Sequence, residues 1–335
     1  MRKKTNGLSA IPGELNNLPL RIMPRHSIDA TRWDDCVRKS KNESPLAYCE
    51  ILDILTPDWY GVIIGDYTGV MPLPVSRQFG FLTVQMPQEV ISLGIFSPEP
   101  RIVDSFPVIF NHPAFSVFKF IHYNGSPSYS EIRTIQGCRV KQTFELYLNN
   151  DYEKIYRSYS RTHRRNIKAF HDSGLSIDST PFPGIFTSLI AEIGKTRPEL
   201  YMPPLYRKRF ENMTKYALEN DMGETLSVRK NNQLIGGAFF LKSKKRVIPY
   251  HLATPEGRRF KTSFAIIDYF IKKHSGQNMV IDFAGSVLPN VAMFNRRFGA
   301  RPVPYCNVTI NRLPQPLKMA KNKNLLFKLR YLFRT

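Results

Sequence analysis

The stretch Ile281-Asp282-Phe283-Ala284-Gly285-Ser286, followed by Phe294-Asn295-Arg296-Arg297-Phe298-Gly299-Ala300, limits the possible architecture more than any other part of the chain. The apolar run from Met279 to Phe283 has the length of a buried strand and stops at a small Gly-Ser corner. Pro289 then opens an amphipathic helix, and Gly299 ends it where a left-handed cap suits glycine. A carboxylate, Asp282, is therefore expected at a strand end facing a helix N-terminus, with two arginines one helix away. In α/β folds ligands commonly bind at such corners. An ordinary strand-to-helix turn is the plain alternative.

The rest of the chain supplies partners for this unit. Reading hydrophobic periodicity along residues 20–150 predicts a short strand at 20–23, helices at 29–39 and 45–55, and strands at 60–64, 68–73 and 79–85. A Gly65-Asp66 hairpin corner joins the first two of these three strands. A weaker helix at 102–110 and strands at 116–122, 131–135 and 141–148 complete this half. The second half, residues 151–313, predicts one long helix over 151–171, a strand at 175–178, and helices at 183–195 and 204–220. A hairpin of 225–229 with 234–241 follows, then a strand at 246–252, a helix at 262–274, the corner described above, and a last strand at 303–310. The two halves read in nearly the same order, so two similar mixed α/β domains are expected. A single large sheet is the other arrangement this order permits. Residues 1–19 read as a loose leader and 314–335 as a basic tail.

At 335 residues the chain is long enough for two such cores, and its 42% hydrophobic content is that of a folded protein. No apolar run is long enough to span a bilayer, and the basic start at residues 1–6 has no apolar segment behind it to make a signal peptide. Cys36, Cys49, Cys138 and Cys306 are scattered without metal-ligand spacing, so no metal site and four reduced thiols in a cytoplasmic protein are expected. Charge carries more information. Lys and Arg number 48 against 27 Asp and Glu, a net +21, and no acidic residue follows Asp282. A second basic cluster is Arg157, Arg161, His163, Arg164, Arg165 and Lys168. Such a field suits a polyanionic partner: nucleic acid, an anionic membrane surface, or a phosphorylated substrate.

The element order is that of the GNAT acyltransferase fold, and the residues match one branch more closely. Tyr159-Ser160-Arg161-Thr162-His163-Arg164-Arg165-Asn166-Ile167-Lys168 ahead of Gly174-Leu175, the Gly236-Gly237-Ala238 strand, Asp282–Ser286 and Phe298-Gly299-Ala300 together resemble FemAB-like proteins, which are built of two tandem GNAT-like halves. In the first half, Tyr60–Val62 and Val70–Pro74 are similar to a hairpin found in a bacterial subgroup of that branch. The resemblance covers about residues 20 to 317. It implies transfer of an acyl group to an amine, with aminoacyl-tRNA or acyl-CoA as a diffusible donor, no tightly bound cofactor, and a cell-envelope precursor among the acceptors. Where the usual pyrophosphate loop has two glycines, Gly257-Arg258-Arg259-Phe260-Lys261-Thr262-Ser263 keeps one. That departure counts against ordinary acetyl-CoA binding.

Amine acylation requires a polarised carbonyl, a proton acceptor for the attacking ammonium, and a hold on the donor's anionic part. For the anionic part, Gly257, Arg258, Arg259 and Lys261 lie where a loop opens a helix, so free N–H groups and basic side chains would both attract phosphate. Asp282 and His251 are the candidate proton acceptors, and Tyr305 the candidate donor to the leaving group. Asp282 has the plainer options of capping the next helix or bracing Arg297. His251 alternates with Tyr250, so one of the two is expected in the core and the other outside. Arg161, Arg164, Arg165 and Lys168 form a candidate phosphate clamp or simply a solvated helix face. Ser286, Asn295 and Arg297 complete the candidate binding residues. Leu325, Leu326, Leu329, Leu332 and Phe333 recur at helical spacing among basic residues, which suits a helix on the inner face of a membrane or one packed on the body. Two other functions fit the same features: an acyl-CoA-dependent N-acetyltransferase acting on a small amine or amino sugar, and a non-catalytic RNA-binding module.

Overall fold

The computed structural model describes residues 19–87, 90–127, 137–195, 197, 201–284 and 288–322. The expected leader at 1–18, the strand at 131–135, Ser286 and the tail residues from 323 onward lie outside the described residues. Among the described residues, twelve strands are distributed over two sheets. β1 (Leu20–Pro24), β2 (Tyr60–Ile64) and β3 (Gly69–Leu73) form an antiparallel three-stranded sheet. The other nine are β4 (Val75–Gln78), β5 (Phe81–Gln85), β6 (Phe120–Asn124), β7 (Cys138–Tyr147), β8 (Gly223–Lys230), β9 (Gln233–Lys242), β10 (Arg246–Ala253), β11 (Val280–Asp282) and β12 (Arg301–Asn311). They make one mixed sheet in the order β4-β5-β6-β12-β7-β11-β10-β9-β8. A ladder thus runs unbroken through both halves, and β7 lies between two strands contributed by the end of the chain.

The helices are α1 (Ala30–Lys39), α2 (Cys49–Leu55), α3 (Pro100–Asp104), α4 (Phe106–Ile109), α5 (Tyr152–Arg157), α6 (Arg161–His171), α7 (Ile185–Gly194), α8 (Pro204–Glu219), α9 (Pro255–Arg259), α10 (Thr262–His274), α11 (Pro289–Arg296) and α12 (Gln315–Asn322). They cover the large sheet on both sides. On one side α7 and α8 lie against β8–β10, and α8 also meets α2 of the first half. Trp33, Trp59, Phe96, Ile185 and Phe210 belong to the core there. On the other side α10 packs on β9 and on α6, around Phe170, Phe240, Phe270 and Phe298. The adjacent glycines of β9 serve both sides: Thr262 of α10 rests on Gly236, and a Cβ at Gly237 would lie 2.6 Å from Ile185 of α7.

Several local expectations change. The helix over 151–171 is two helices, because the Ser158 hydroxyl bonds back to the Ile155 carbonyl and Ser160 leaves the helical conformation to cap α6 through the His163 amide. The strand at 79–85 is the second arm of a hairpin whose turn, Phe79-Gly80, has positive φ at both residues. Residues 175–178 supply a single bridge from Asp178 to Ser227 in place of a strand. The helix at 45–55 begins as a 3-10 turn, Pro45–Ala47, and becomes α-helical at Cys49. The four reduced thiols are also corrected: Cys138 and Cys306 are joined as a disulfide, while Cys36 and Cys49 are free and buried. Sequence spacing of 168 residues concealed that pair, which exists because β7 and β12 are neighbours.

Candidate functional site

The large sheet forks between β10 and β11. β10 and β11 are parallel and pair only at Arg246↔Val280 and Val247↔Ile281. Beyond that point β11 keeps to β7, with Asp282 opposite Glu145 and the Phe283 amide bonded to the Phe144 carbonyl at 2.9 Å. β10 runs on to Ala253 alongside β9 alone, so a fork separates it from β11. Strand alternation decides which main-chain groups face the fork. The Thr254 amide bonds toward β9, to the Ile235 carbonyl, and the Lys245 carbonyl accepts from Val280 of β11. Residues 247, 249, 251 and 253 therefore turn their main-chain groups toward β11. Pro249 has no N–H, which makes His251 the first residue past the pairing to offer one.

The base of the fork is held by buried charge. Arg246 donates from Nη1 to Glu145 at 2.6 Å and to Asp282 at 2.9 Å, and from Nε to the Glu43 carbonyl at 3.0 Å. Asp282 Oδ1 also accepts from the Thr143 hydroxyl at 2.9 Å and the Ala284 amide at 3.0 Å. Glu43 accepts from Tyr48 and Ser243, each at 2.7 Å. Arg246, Glu145, Asp282 and Glu43 are all at most 3% exposed. Asp282 thus braces Arg246, where the sequence offered Arg297 as its partner, and its hydrogen bond to Ala284 shapes the corner that follows. Tyr305 is buried, and burial together with the Asp282 charge holds its hydroxyl proton more tightly than usual.

The other side of the fork is aromatic. Phe294 of α11 stacks on His251 with ring centres 5.4 Å apart, and His163 of α6 touches Phe294, Phe298 and Phe264 at 5.3, 4.5 and 4.8 Å. Tyr250 is therefore buried, and His251 is half-buried against Phe294. Tyr250 packs on Phe210 and Phe239, because helices cover both faces of the sheet at this strand. His163 Nε2 lies 2.9 Å from the Phe294 carbonyl. Burial drives the pKa of both imidazoles down to about 4, with the Arg297 charge adding to the effect at His163. Both rings are neutral near pH 7, and their Nδ1 atoms are buried without a hydrogen-bond partner.

The loop residues flank this nest. Thr254 caps α9 through the Gly257 amide at 3.1 Å, and a Cβ at Gly257 would run into the Ile235 carbonyl, so no other residue fits. Arg258 and Arg259 are exposed, and Lys261, in the left-handed conformation, begins α10 without a side-chain cap. Thr262, the first residue of α10, is fully buried and its hydroxyl is unpartnered. Arg161, Arg164, Arg165 and Lys168 are exposed on the side of α6 opposite His163, Ile167 and Phe170. The Arg297 carbonyl accepts from the Ser160 amide at 2.9 Å, which brings exposed Arg296 and Arg297 to the start of that basic helix. Asn295 is buried beneath them.

The structure therefore joins His251, Gly257, Lys261 and Asn295 around one side of the fork and puts Asp282 at its base, with Tyr305 buried within reach of the Asp282 charge. It leaves the α6 cations on the outer surface. Sequence reasoning missed Arg246, Glu145, Glu43 and the inward role of His163. A signal existed for one of them: Arg246 is the single Lys, Arg, Asp or Glu at the start of a largely apolar strand, and such a charge, once buried, requires a partner. Among the described residues no group of His, Cys, Asp and Glu could hold a metal ion, and no helix is long and apolar enough to cross a membrane.

The sequence matches no family model and no curated protein. Solved structures do match. FemX aligns over 89% of this chain and 99% of its own, with a TM-score of 0.58 and 12% identity. A conserved protein of unknown function from Bacteroides thetaiotaomicron aligns over 87% and 99%, at 0.51 and 11%. The C-terminal domain of a putative lysylphosphatidylglycerol synthetase from Agrobacterium fabrum aligns over 87% and 94%, at 0.51 and 10%. At 10–12% identity these likenesses show a shared fold, the one found in FemX and in the other two structures. That fold is the one the resemblance to FemAB-like proteins led one to expect.

Proposed function

We propose that this protein is an acyltransferase that moves an acyl or aminoacyl group from an anionic carrier to an amine. The observation that carries this reading is the β10–β11 fork beside the uncapped start of α10. A carrier phosphate at α10 would meet free N–H groups and the cations of Arg258, Arg259 and Lys261. The acyl carbonyl would lie in the fork against the main-chain N–H of His251, which stabilises the oxygen as negative charge develops on it. Of the two, His251 would be the one to take the ammonium proton, since its Nδ1 has no hydrogen-bond partner while Asp282 is engaged by Arg246, Thr143 and Ala284. Tyr305 would return a proton to the leaving group. The exposed cations of α6, with Arg296 and Arg297, extend the same field and would hold a larger polyanion, either tRNA or a phosphorylated envelope precursor.

The test is a thermal-shift and native mass-spectrometry screen of the whole chain against acyl-CoAs, aminoacylated tRNA and envelope precursors. A donor at a hundred times its Kd should add about 2.7 kcal/mol of stability, and Arg258→Glu with Arg259→Glu should abolish that gain. If no donor of either class shifts the wild type, while uncharged RNA does, the protein is a binding module and this reading fails.

A further inference from the structure

His163 has its tautomer fixed by what it touches. A carbonyl oxygen can only accept, so the 2.9 Å contact with the Phe294 carbonyl places the proton on Nε2. Nδ1 of the neutral ring is then a bare acceptor, 2% exposed at the residue level and unpartnered, walled by Phe264, Phe294 and Phe298. Across Phe294, His251 presents a second buried and unpartnered Nδ1. Buried acceptors are nearly always satisfied, and one left bare costs more than a typical hydrogen bond returns. Two such atoms against a single ring, next to the fork, mark a place prepared for a polar group.

Resting on the acyltransferase reading, we infer that His163 is a specificity-determining residue whose Nδ1 accepts a hydrogen bond from an N–H or O–H carried on the acyl group of the donor. An acyl chain bearing an amine or hydroxyl fills the acceptor and lies among the aromatic faces, whereas an isosteric hydrocarbon leaves Nδ1 bare. The discrimination comes from a neutral acceptor in an apolar wall, so it selects for a donor hydrogen and not for charge. Unpaired polar groups left in such a site reject the wrong ligand strongly.

The experiment uses three acyl groups of nearly one shape, alanyl, lactyl and isobutyryl, each presented on coenzyme A and on tRNA. Equilibrium Kd is measured for the whole protein and for two variants. His163→Gln keeps a donor where Nε2 meets the Phe294 carbonyl and loses Nδ1; His163→Asn keeps an acceptor near Nδ1 and loses the distal donor. On whichever carrier binds, alanyl and lactyl forms should bind about tenfold or more tightly than isobutyryl in the wild type. His163→Gln should erase that ratio by weakening alanyl and lactyl binding to the isobutyryl level, and His163→Asn should retain part of it. Equal binding of the three groups by the wild type overturns the inference while the acyltransferase reading stands. An unchanged ratio in His163→Gln, as a resident water on Nδ1 would give, overturns it too. If neither carrier binds in any form, both readings fall together.

Discussion

On one side of the fork Arg246 closes on Glu145 and Asp282, and the next carboxylate, Glu43, is met by two hydroxyls. On the other side His163 and His251 are set among phenylalanines with a bare nitrogen apiece. Both regions are buried and polar, yet only one is internally satisfied. Charges removed from water must find partners within the fold, so the first region holds structure together. Neutral imidazoles can be left waiting at smaller cost, so the second can be kept open for a ligand. The comparison separates residues that make the fork from residues that use it.

The largest expected effect lies on the charged side. Arg246→Met strands two buried carboxylates and should cost about 3–5 kcal/mol in chemical denaturation. Asp282→Asn should lose less, since the amide can still accept from Thr143 and Ala284. If Asp282→Asn instead keeps full stability and abolishes transfer, Asp282 belongs with the groups that act on substrate and the comparison breaks.

Acidification sharpens the contrast from the aromatic side. His163 and His251 have folded pKa values near 4 against an ordinary 6.5, so the unfolded chain takes up protons first. Their contribution to stability is complete above pH 6.5 and is lost as pH falls toward about 4. Glu224 behaves likewise at lower pH: burial raises its pKa, but His274 and Lys273 outweigh that and bring it to about 2, so its share is lost between pH 4.5 and 2. Tm measured against pH should fall in two stages, and His163→Gln with His251→Gln should flatten the upper stage alone. The smallest effect on stability belongs outside both regions. Arg164→Glu with Arg165→Glu should leave Tm within about 1 °C, because exposed charges contribute little to folding, while weakening polyanion binding and reducing its salt dependence. Unchanged affinity would make α6 a solvated face.

Most strands and helices, their order and the Gly299 cap were legible in the sequence, because periodicity and turn residues act locally. Gly299 has the left-handed φ of +85° that its place after the helix demanded. The position of Asp282 at a strand end was equally legible. Its partner was not, since Arg246 lies 36 residues away on a parallel strand and Glu145 is 137 residues before Asp282 on β7. The helix break at Ser158–Ser160 shows the same limit at short range: two hydroxyls decide it, and the hydrophobic pattern runs on regardless.

What the sequence alone determined was the kind of elements, their order, and a strongly basic surface, each a property of neighbouring residues or of a sum. Tertiary structure decided which charges are shielded and which nitrogens are bare. His163 illustrates the difference. In sequence it belongs to a basic run with Arg161, Arg164 and Arg165, yet helical geometry turns it inward while they face water. Burial then makes it neutral, and the Phe294 carbonyl, 131 residues away, chooses its tautomer. Protonation and hydrogen-bonding capacity depend on the local dielectric and on partners brought together by folding, and neither is written in the spacing of residues along the chain.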